Sequence, residues 1–388
     1  MIDAAGGFGV YVHWPFCARI CPYCEFNVRK AGALDAERWA RALKADLNWQ
    51  HAQAPDAKPG SLYFGGGTPS LAPLSVIEAV IDEVEQLWGF GGAPEITLEA
   101  NPNDVTLERA RAWRAAGVTR LSLGVQSFRD DALRFLGRDH DAEEARRAIE
   151  IAARVFETYT FDFIYALPDE TLADWRAAIA SALAFTPPHL SLYQLTVEPG
   201  TAFDRQVQSG RWTPAGEDLT ADAFDLAQEM TARAGLPAYE VSNHAAHENQ
   251  SRHNLVYWRL GAYAGVGPGA HGRLHIGGER RATVAESDPA RWLDRVEKTG
   301  TGVADIEPLD VDATEAEFLS FGLRLSEGIS LQRWRRLVER ELPNDEIAAL
   351  ESDGMLRREG DRLAATTDGR RVLNSVVSAL ALADRAQA

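Results

Sequence analysis

Three cysteines near the amino end of the chain have the type and spacing that most strongly predict chemistry. Cys17, Cys21 and Cys24 lie in the stretch YVHWPFCARICPYCEFN, and they are the only 3 cysteines among the 388 residues. An odd number of closely spaced thiols argues against disulfide bonds. The sequence therefore concentrates all of its soft, thiolate metal donors in one short segment.

Three interpretations of this cysteine motif are open from the residues alone. Structural zinc is held by a tetrahedral set of protein ligands, so His13 or a distant histidine would have to complete a zinc site. An iron–sulfur cluster with one iron left open needs only the three thiolates, which are soft and charged donors. The third interpretation is a coincidence of spacing without any metal.

The elements that position these thiols are predicted to be alternating strands and helices. Segments with apolar residues at helical spacing follow short apolar or β-branched segments, and Asp35, Thr106 and Asp141 are predicted N-caps of three of these helices. The predicted strands are 9–14, 61–64, 95–100, 119–125, 158–166 and 189–197, and the predicted helices are 35–50, 74–88, 106–117, 141–156 and 171–185. Six strands joined by crossover helices predict an α/β fold, with a parallel sheet that forms a partial (β/α)6 barrel of the TIM type.

Polar residues and glycines follow successive predicted strands. They include Gly66, Gly67 and Thr68 after the second strand, Glu99 in the third, Gln126 after the fourth and Asp162 in the fifth. Because the carboxyl ends of parallel strands meet at one face of a barrel, we expect these residues to lie beside the cysteines.

A separate C-terminal module is predicted from about residue 288. Helical segments at 314–326 and 330–341 precede a further helix, two short strands around Gly360 and a final helix, which is a mostly α, winged-helix-like order. The sequence thus predicts domains at 1–287 and 288–388. Within the first domain, RLHIGGERRATV predicts a hairpin around Gly277 and Gly278.

The charge balance and the absence of long apolar runs exclude some classes of partner. The chain has 40 Lys and Arg against 57 Asp and Glu, a net charge of −17, so we expect no nucleic-acid partner and interpret the C-terminal module as a protein docking surface. The segment MIDAAGGFGV lacks signal-peptide character, and no apolar run approaches the ~20 residues that span a bilayer. We therefore expect a cytoplasmic protein without a transmembrane segment, while peripheral membrane contact is left open.

Several motifs together resemble those of the oxygen-independent coproporphyrinogen oxidase group of radical S-adenosylmethionine (SAM) proteins. They are YVHWPFCARICPYCEFN, YFGGGTPS, LEANP, LSLGVQSF, LGRDH and FDFIYALP. Two later motifs, SRHNLVYW and GVGPGAHG, resemble the haem chaperone HemW branch of that group. The decarboxylating enzymes carry a further cysteine where this chain has Phe26, and they lack the box formed here by His253, Asn254, Tyr257 and Trp258. Both differences point away from the decarboxylase.

The resemblance implies a 4Fe–4S cluster held by Cys17, Cys21 and Cys24, with SAM on the remaining iron. The residues implied to contact SAM are Tyr11, Tyr23, Gly66, Gly67, Thr68, Glu99, Gln126, Arg138 and Asp162. Haem is implied as cargo, with His253 as the candidate iron ligand. As alternatives, Asp162 pairs with Arg138, and His253 only holds its segment against the barrel. We expect His13 and His140 to be structural and leave His271 unassigned.

The implied function is a haem chaperone that binds haem and delivers it to acceptor proteins. The alternative is a radical SAM oxidoreductase that oxidatively decarboxylates coproporphyrinogen III or acts on a related substrate. No catalytic residue is assigned, and whether the protein is an enzyme stays open. A haem-acceptor protein and an electron donor are the expected partners, and a monomer and a dimer are both compatible with the sequence.

Overall fold

The computed structural model describes residues 6–387, so residues 1–5 of the segment MIDAAGGFGV lie outside it. Within this range, strands and helices alternate from the first strand onward. The strands are β1 (Phe8–Trp14), β2 (Phe16–Cys17), β3 (Arg29–Lys30), β4 (Ser61–Gly66), β5 (Glu95–Ala100), β6 (Arg120–Gln126), β7 (Thr158–Tyr165), β8 (His189–Gln194), β9 (Asn243–Ala245), β10 (Ala262–Val266), β11 (His271–Ile276), β12 (Glu279–Ala285), β13 (Val303–Pro308), β14 (Ile329–Ser330), β15 (Leu356–Glu359) and β16 (Arg362–Ala365).

The α-helices connect the strands of the main sheet or form the C-terminal module. They are α1 (Ala36–Gln53), α2 (Leu74–Trp88), α3 (Leu107–Ala115), α4 (Asp130–Phe135), α5 (Ala142–Val155), α6 (Leu172–Leu183), α7 (Ala202–Gln208), α8 (Glu217–Arg233), α9 (Arg252–Trp258), α10 (Pro289–Thr299), α11 (Val311–Gly322), α12 (Leu331–Val338), α13 (Asn344–Ser352), α14 (Thr367–Arg371) and α15 (Leu373–Gln387). No helix in the described range is both long and apolar enough to cross a bilayer.

One large sheet organises the main part of the molecule. Its strand order is β13-β12-β11-β10-β1-β4-β5-β6-β7-β8-β9. The six predicted strands correspond to β1, β4, β5, β6, β7 and β8, and they pair in parallel in that order. The predicted α/β fold with a partial parallel barrel is confirmed.

The parallel sheet contains one strand that the sequence analysis missed. β10 pairs in parallel with β1, and its segment GAYAGVG is rich in glycines, which are uncommon inside strands. The structure explains these glycines by close approach of the backbone. A Cβ at Gly265 would lie 2.0 Å from the carbonyl oxygen of His271, so glycine is required where β11 turns back along β10.

Helix starts agree with their predicted caps, which fix where each crossover helix begins. The side chains of Asp35 and Thr106 accept hydrogen bonds from the backbone amides three residues later. Asp141 and Glu144 form a reciprocal capping box at the start of α5. Apolar side chains of these helices pack against the convex face of the sheet in one continuous core.

The sheet continues past the predicted barrel segment through the hairpin of β11 and β12. The hairpin turns at Gly277 and Gly278, as predicted, with Ile276 paired to Glu279. β13 then pairs with β12, and Trp292 of α10 stacks on Trp39 of α1 at 5.5 Å between ring centroids. The main sheet therefore extends to Pro308.

The C-terminal module has its own small sheet and its own apolar core. β14, β16 and β15 form a three-stranded antiparallel sheet. Helices α11 to α15 surround this sheet, and the buried cluster is centred on Phe318, Leu319, Trp334 and Leu363. This arrangement of helices followed by a short strand hairpin is the predicted winged-helix-like order, while the division at 287/288 stays a prediction.

Candidate functional site

A cavity of about 410 Å³ opens at the carboxyl ends of the parallel strands. All three cysteines line it, and so do eight of the ten residues that the sequence analysis assigned to cofactor or haem binding. These eight are Tyr23, Gly66, Gly67, Thr68, Glu99, Gln126, Arg138 and Asp162. Tyr11 and His253 do not line the cavity. The fold thus brings together residues that lie as far apart in sequence as Cys17 and Asp162.

The cysteine loop is held against the ends of two helices. The amide of Phe203, at the start of α7, donates to the carbonyl of Pro22 at 2.9 Å. At the end of α4, Gly137 has a positive φ of 69°, and a Cβ there would lie 2.5 Å from Cδ of Pro22. Tyr23 packs beside Phe203 with ring centroids 6.3 Å apart. These contacts fix the positions of Cys21 and Cys24.

The three thiols are free, and the surroundings of Cys17 and Cys24 favour the protonated form. Cys17 is buried, whereas Cys21 and Cys24 are half-buried. Burial raises the pKa of Cys24 to about 11 and raises the pKa of Cys17 in the same direction. Iron would therefore have to displace protons from these sulfurs at neutral pH. Among residues 6–387, no three His, Cys, Asp or Glu side chains are arranged to hold a single metal ion.

Arg138 connects the cysteine loop to two neighbouring strand ends. Its Nη1 lies 3.4 Å from Cys21 Sγ, and its Nη2 donates to Asn101 Oδ1 at 2.5 Å and to the carbonyl of Gly124 at 2.9 Å. Its Nε is buried and has no hydrogen-bond partner within the described residues. The ion pair between Arg138 and Asp162, which the sequence analysis gave as an alternative role for Asp162, is not formed. Sequence analysis missed the partner Asn101, although LEANP places it directly after a strand.

Glu99 is the most perturbed carboxylate of the cavity. Burial raises its pKa to about 7, and the nearby Asp162 adds to this effect. The hydroxyl of Tyr63 donates to Glu99 Oε1 at 2.8 Å and opposes part of the shift. A carboxylate with this pKa changes its charge near neutral pH, which suits a group that pairs with a cation on binding. Tyr63 was not predicted, though its place in the neighbouring strand β4 puts it opposite β5.

Asp162 and Gln126 occupy the adjoining strands β7 and β6. Burial raises the pKa of Asp162 to about 6, while Ser191 stabilises the ionised form by a hydrogen bond. Gln126 is buried and has a positive φ of 67°, at a register shift between β6 and β7. A non-glycine residue in this conformation costs free energy, so the position is a candidate functional site on geometric grounds.

The Gly66–Thr68 turn is shaped by the chain itself. A Cβ at Gly66 would lie 2.6 Å from the ring of His13, and one at Gly67 would lie 2.8 Å from the carbonyl oxygen of Phe16. The amides of Gly67 and Thr68 donate to the carbonyls of Trp14 at 2.7 Å and Phe16 at 2.9 Å. Glycine is therefore required here for packing on β1, a reason independent of any ligand.

Tyr11 lies deeper in the barrel than the cavity wall. Its hydroxyl is 2.9 Å from His13 Nδ1, and its ring packs beside those of Tyr63 and His253. The other nitrogen of His13 bonds to the carbonyl of Asn27 at 2.9 Å. The expectation that His13 is structural agrees with these contacts.

His253 lies at the amino end of the barrel, away from the cysteines. Its side chain is 1% exposed. Nδ1 lies 2.9 Å from Ser61 Oγ, Nε2 lies 2.7 Å from the hydroxyl of Tyr257, and the ring stacks on Tyr63 at 4.9 Å. The backbone amide of His253 also donates to Glu95 at 3.0 Å. Both ring nitrogens thus make hydrogen bonds within the barrel, and these contacts hold the segment of His253 in place.

Two family models match the chain. The Radical SAM superfamily model matches residues 11–182, and the HemN C-terminal domain model matches residues 313–372. A solved structure of coproporphyrinogen III oxidase (HemN) from Escherichia coli superimposes with a TM-score of 0.80 at 18% identity, over 96% of this chain and 90% of that one. This structural match concerns the fold alone.

Three relatives are similar over 68% to 96% of the chain. Heme chaperone HemW of Mycobacterium tuberculosis is 36% identical, with 96% of this chain and 94% of the relative covered. Heme chaperone HemW of Escherichia coli is 37% identical over 68% of this chain and 70% of the relative. The mitochondrial radical S-adenosyl methionine domain-containing protein 1 of Bos taurus is 35% identical, with 96% and 86% covered.

Proposed function

The chain belongs to the family of radical SAM proteins that includes heme chaperone HemW, and from this premise we propose that it binds haem and delivers it to acceptor proteins. The observation that carries the proposal is the 36% identity over 94% of a relative named heme chaperone HemW. The box of His253, Asn254, Tyr257 and Trp258 and the presence of Phe26 instead of a further cysteine point in the same direction.

We propose further that Cys17, Cys21 and Cys24 hold a 4Fe–4S cluster. The donor set suits such a group: three free thiols line one cavity, and no fourth cysteine stands beside them. When bound, a cluster with SAM supplies one-electron chemistry. In this arrangement Arg138 would hold the Cys21 sulfur by an N–H···S contact of 3.4 Å.

SAM is proposed to occupy the rest of the cavity. The half-neutral Glu99 would accept hydrogen bonds from its cationic or hydroxyl groups, as a carboxylate with a pKa of about 7 can. Gln126, Asp162 and Arg138 also line this cavity, and the buried Nε of Arg138 lacks a partner in the described residues. Tyr11 would act through His13 and Tyr63 and not by direct contact, since it does not line the cavity.

The proposed location is the cytoplasm. A reducing compartment keeps the three free thiols available for iron. An acceptor protein and an electron donor are the proposed partners, and the C-terminal module with its winged-helix-like fold is the proposed docking surface.

The test is an anaerobic reconstitution with iron and sulfide, followed by titration with haem in the presence and absence of SAM. We expect an absorption spectrum of a 4Fe–4S cluster and binding of about one haem per chain, a stoichiometry that corresponds to one site. The same preparation is assayed for carbon dioxide release from coproporphyrinogen III under reducing conditions. Robust decarboxylation, or a loaded cluster without haem binding, would replace the chaperone proposal by the oxidoreductase alternative.

A further inference from the structure

The buried position of His253 raises the question of which residue binds the iron of haem. Imidazole is a standard axial ligand, but it must present a free nitrogen at an accessible surface. The nine histidines of the chain all lie within the described residues, so each can be judged by its exposure and its contacts.

Most histidines are occupied or enclosed. His13, His189 and His253 are buried and bond through both ring nitrogens. His140 and His244 are buried and bond through one of them. His51 is half-buried with its ring against Trp88, and His275 is half-buried as well.

Two histidines are exposed, and they lie at opposite ends of the barrel. His247 follows β9, whose last residue pairs with His189 at the start of β8, so it lies at the amino end. His271 begins β11, which runs back from the carboxyl end of β10. Within the described residues, neither ring nitrogen of His271 has a hydrogen-bond partner. Of these two exposed histidines, only His271 lies at the end of the barrel that carries the cysteine loop.

The sheet register places His271 on the concave face. Arg273 pairs with Tyr263, and Tyr263 pairs with Gly9. Because side chains alternate along a strand, His271 shares the face of Arg273, and through these pairs the face of Tyr11 and His13. This face also carries the cavity. Burial is the main cause that lowers the pKa of His13, and the charge of His271 lies close enough to lower the pKa of His13 further.

Asn27 joins the cysteine loop to the turn that precedes His271. Its Nδ2 donates to the carbonyls of Pro268 at 3.0 Å and Ser287 at 2.7 Å. A Cβ at Gly269 would lie 2.4 Å from the same Nδ2. Asn27 is three residues after Cys24, so the 268–271 turn packs directly against the end of the cysteine loop.

The surface beside this junction suits an apolar, planar anion. Phe26 is 63% exposed and Ile20 is 49% exposed, and both line the cavity. Exposure of apolar side chains to water is unfavourable, so a ligand that covers them gains free energy of binding. On the other side of Asn27, the exposed Arg29 directs Nη1 to Asn27 Oδ1 at 3.4 Å. A guanidinium at this position can pair with a carboxylate.

We infer that haem binds at this junction, with His271 as the iron ligand, the macrocycle against Phe26 and a carboxylate toward Arg29. The inference rests on the proposed haem-binding function and assigns its site to the rim of the cysteine cavity. It also gives Phe26 a positive role, because a cysteine at this position would offer no comparable apolar surface.

The experiment is a haem titration of the full-length, reconstituted protein and of four variants: His271→Ala, Phe26→Ala, His253→Ala and the matched control His247→Ala. We expect His271→Ala to weaken haem binding by about tenfold or more and to shift the Soret band, and added imidazole to restore the band. Phe26→Ala should weaken binding by about fivefold to tenfold through lost apolar contact. His253→Ala and His247→Ala should bind like the wild type.

The outcomes separate this inference from the function on which it rests. Wild-type affinity and an unchanged Soret band in His271→Ala would overturn the assignment, and loss of binding in His253→Ala alone would return it to the amino end of the barrel. If the wild-type protein itself binds no haem, the proposed function fails and this site fails with it. Iron content and thermal unfolding of each variant show whether it is folded; the exposed position of His271 makes misfolding of His271→Ala unexpected.

Discussion

At the residue scale, the main feature of the cavity is that its charged side chains are largely buried. Glu99 and Asp162 both have raised pKa values, about 7 and about 6, and burial is the main cause for each. Arg138 is the nearby cation, yet it bonds to Cys21, Asn101 and a backbone carbonyl, and not to either carboxylate. The carboxylates therefore keep their capacity for a cationic ligand.

Glu99→Gln tests this arrangement through its pH dependence. The folded protein holds a proton on Glu99 between pH 4.5 and about 7, whereas the unfolded chain has released it, so this residue lowers the free energy of unfolding as pH rises through that window. We expect Glu99→Gln to stabilise the cofactor-free protein by about 1–3 kcal/mol at pH 8 and by less at pH 5. Urea unfolding at both pH values measures this.

The same variant should bind SAM more weakly once the cluster is present. Wild-type affinity should rise as pH increases through about 7, because ionised Glu99 then pairs with the cation. Isothermal titration of SAM at pH 6 and 8 checks the trend, with the exposed Glu157→Gln as control.

The unfolding experiment has its own contradicting outcome. A difference in free energy of unfolding between Glu99→Gln and wild type that is equal at pH 5 and pH 8 would contradict the assignment of a buried, titrating carboxyl.

At the element scale, the cysteine loop depends on the end of α4. Gly137 follows this helix in a left-handed conformation, which glycine adopts without steric cost. Its missing side chain also leaves the space that Pro22 occupies, between Cys21 and Tyr23. The helix end thus sets the position of a loop that lies more than a hundred residues earlier in the sequence.

Gly137→Ala should displace this loop, and Gly235→Ala is its matched control. Gly235 also follows a helix with a positive φ, of 82°, but a Cβ there meets nothing within 4 Å. In both variants the free energy of unfolding should fall by about 1–2 kcal/mol, because alanine is strained in the left-handed conformation. Only Gly137→Ala should also lose iron and sulfide after reconstitution, since its Cβ would lie 2.5 Å from Pro22. Equal metal content in the two variants would show that the contact does not position the loop.

At the scale of the whole molecule, the C-terminal module is joined to the barrel segment by buried polar contacts. Glu240 is fully buried and accepts hydrogen bonds from Asn243 at 2.6 Å and from Arg324 at 3.0 Å. The amide of Ser326 donates to the carbonyl of Tyr239 at 2.9 Å. Arg324 also lies over the ring of Trp258 at 4.6 Å. The module is therefore fixed next to the helix that carries His253.

Arg324→Ala should destabilise the whole protein because it leaves the Glu240 charge buried without its cation. We expect the free energy of unfolding to fall by about 3–5 kcal/mol, because removal of one partner leaves the other charge buried without compensation. Adding Glu240→Gln to this variant removes the unpaired charge and should restore part of the loss. Urea unfolding followed by circular dichroism measures both, and an unchanged unfolding midpoint in Arg324→Ala would refute this role of the pair.

Local sequence patterns are enough to predict the parallel barrel, the cysteine motif and most residues of the cavity. These features depend on local patterns: apolar periodicity predicts each strand and helix, and a polar residue after a strand lies at the carboxyl face wherever the strands are parallel. The motifs around Cys17, Glu99, Gln126 and Asp162 could therefore be assigned to one site without any long-range information. The same patterns indicated the hairpin at Gly277 and the helix caps.

Features that depend on packing between distant segments became visible with the folded structure. β10 was missed because its glycines signal a turn locally but serve a close backbone approach to β11. His253 was placed near haem by its motif, whereas Ser61, 192 positions earlier in the chain, and Tyr257 occupy its two nitrogens. The accessibility of a side chain is set by everything that packs around it, and residue type and spacing along one segment do not contain that information.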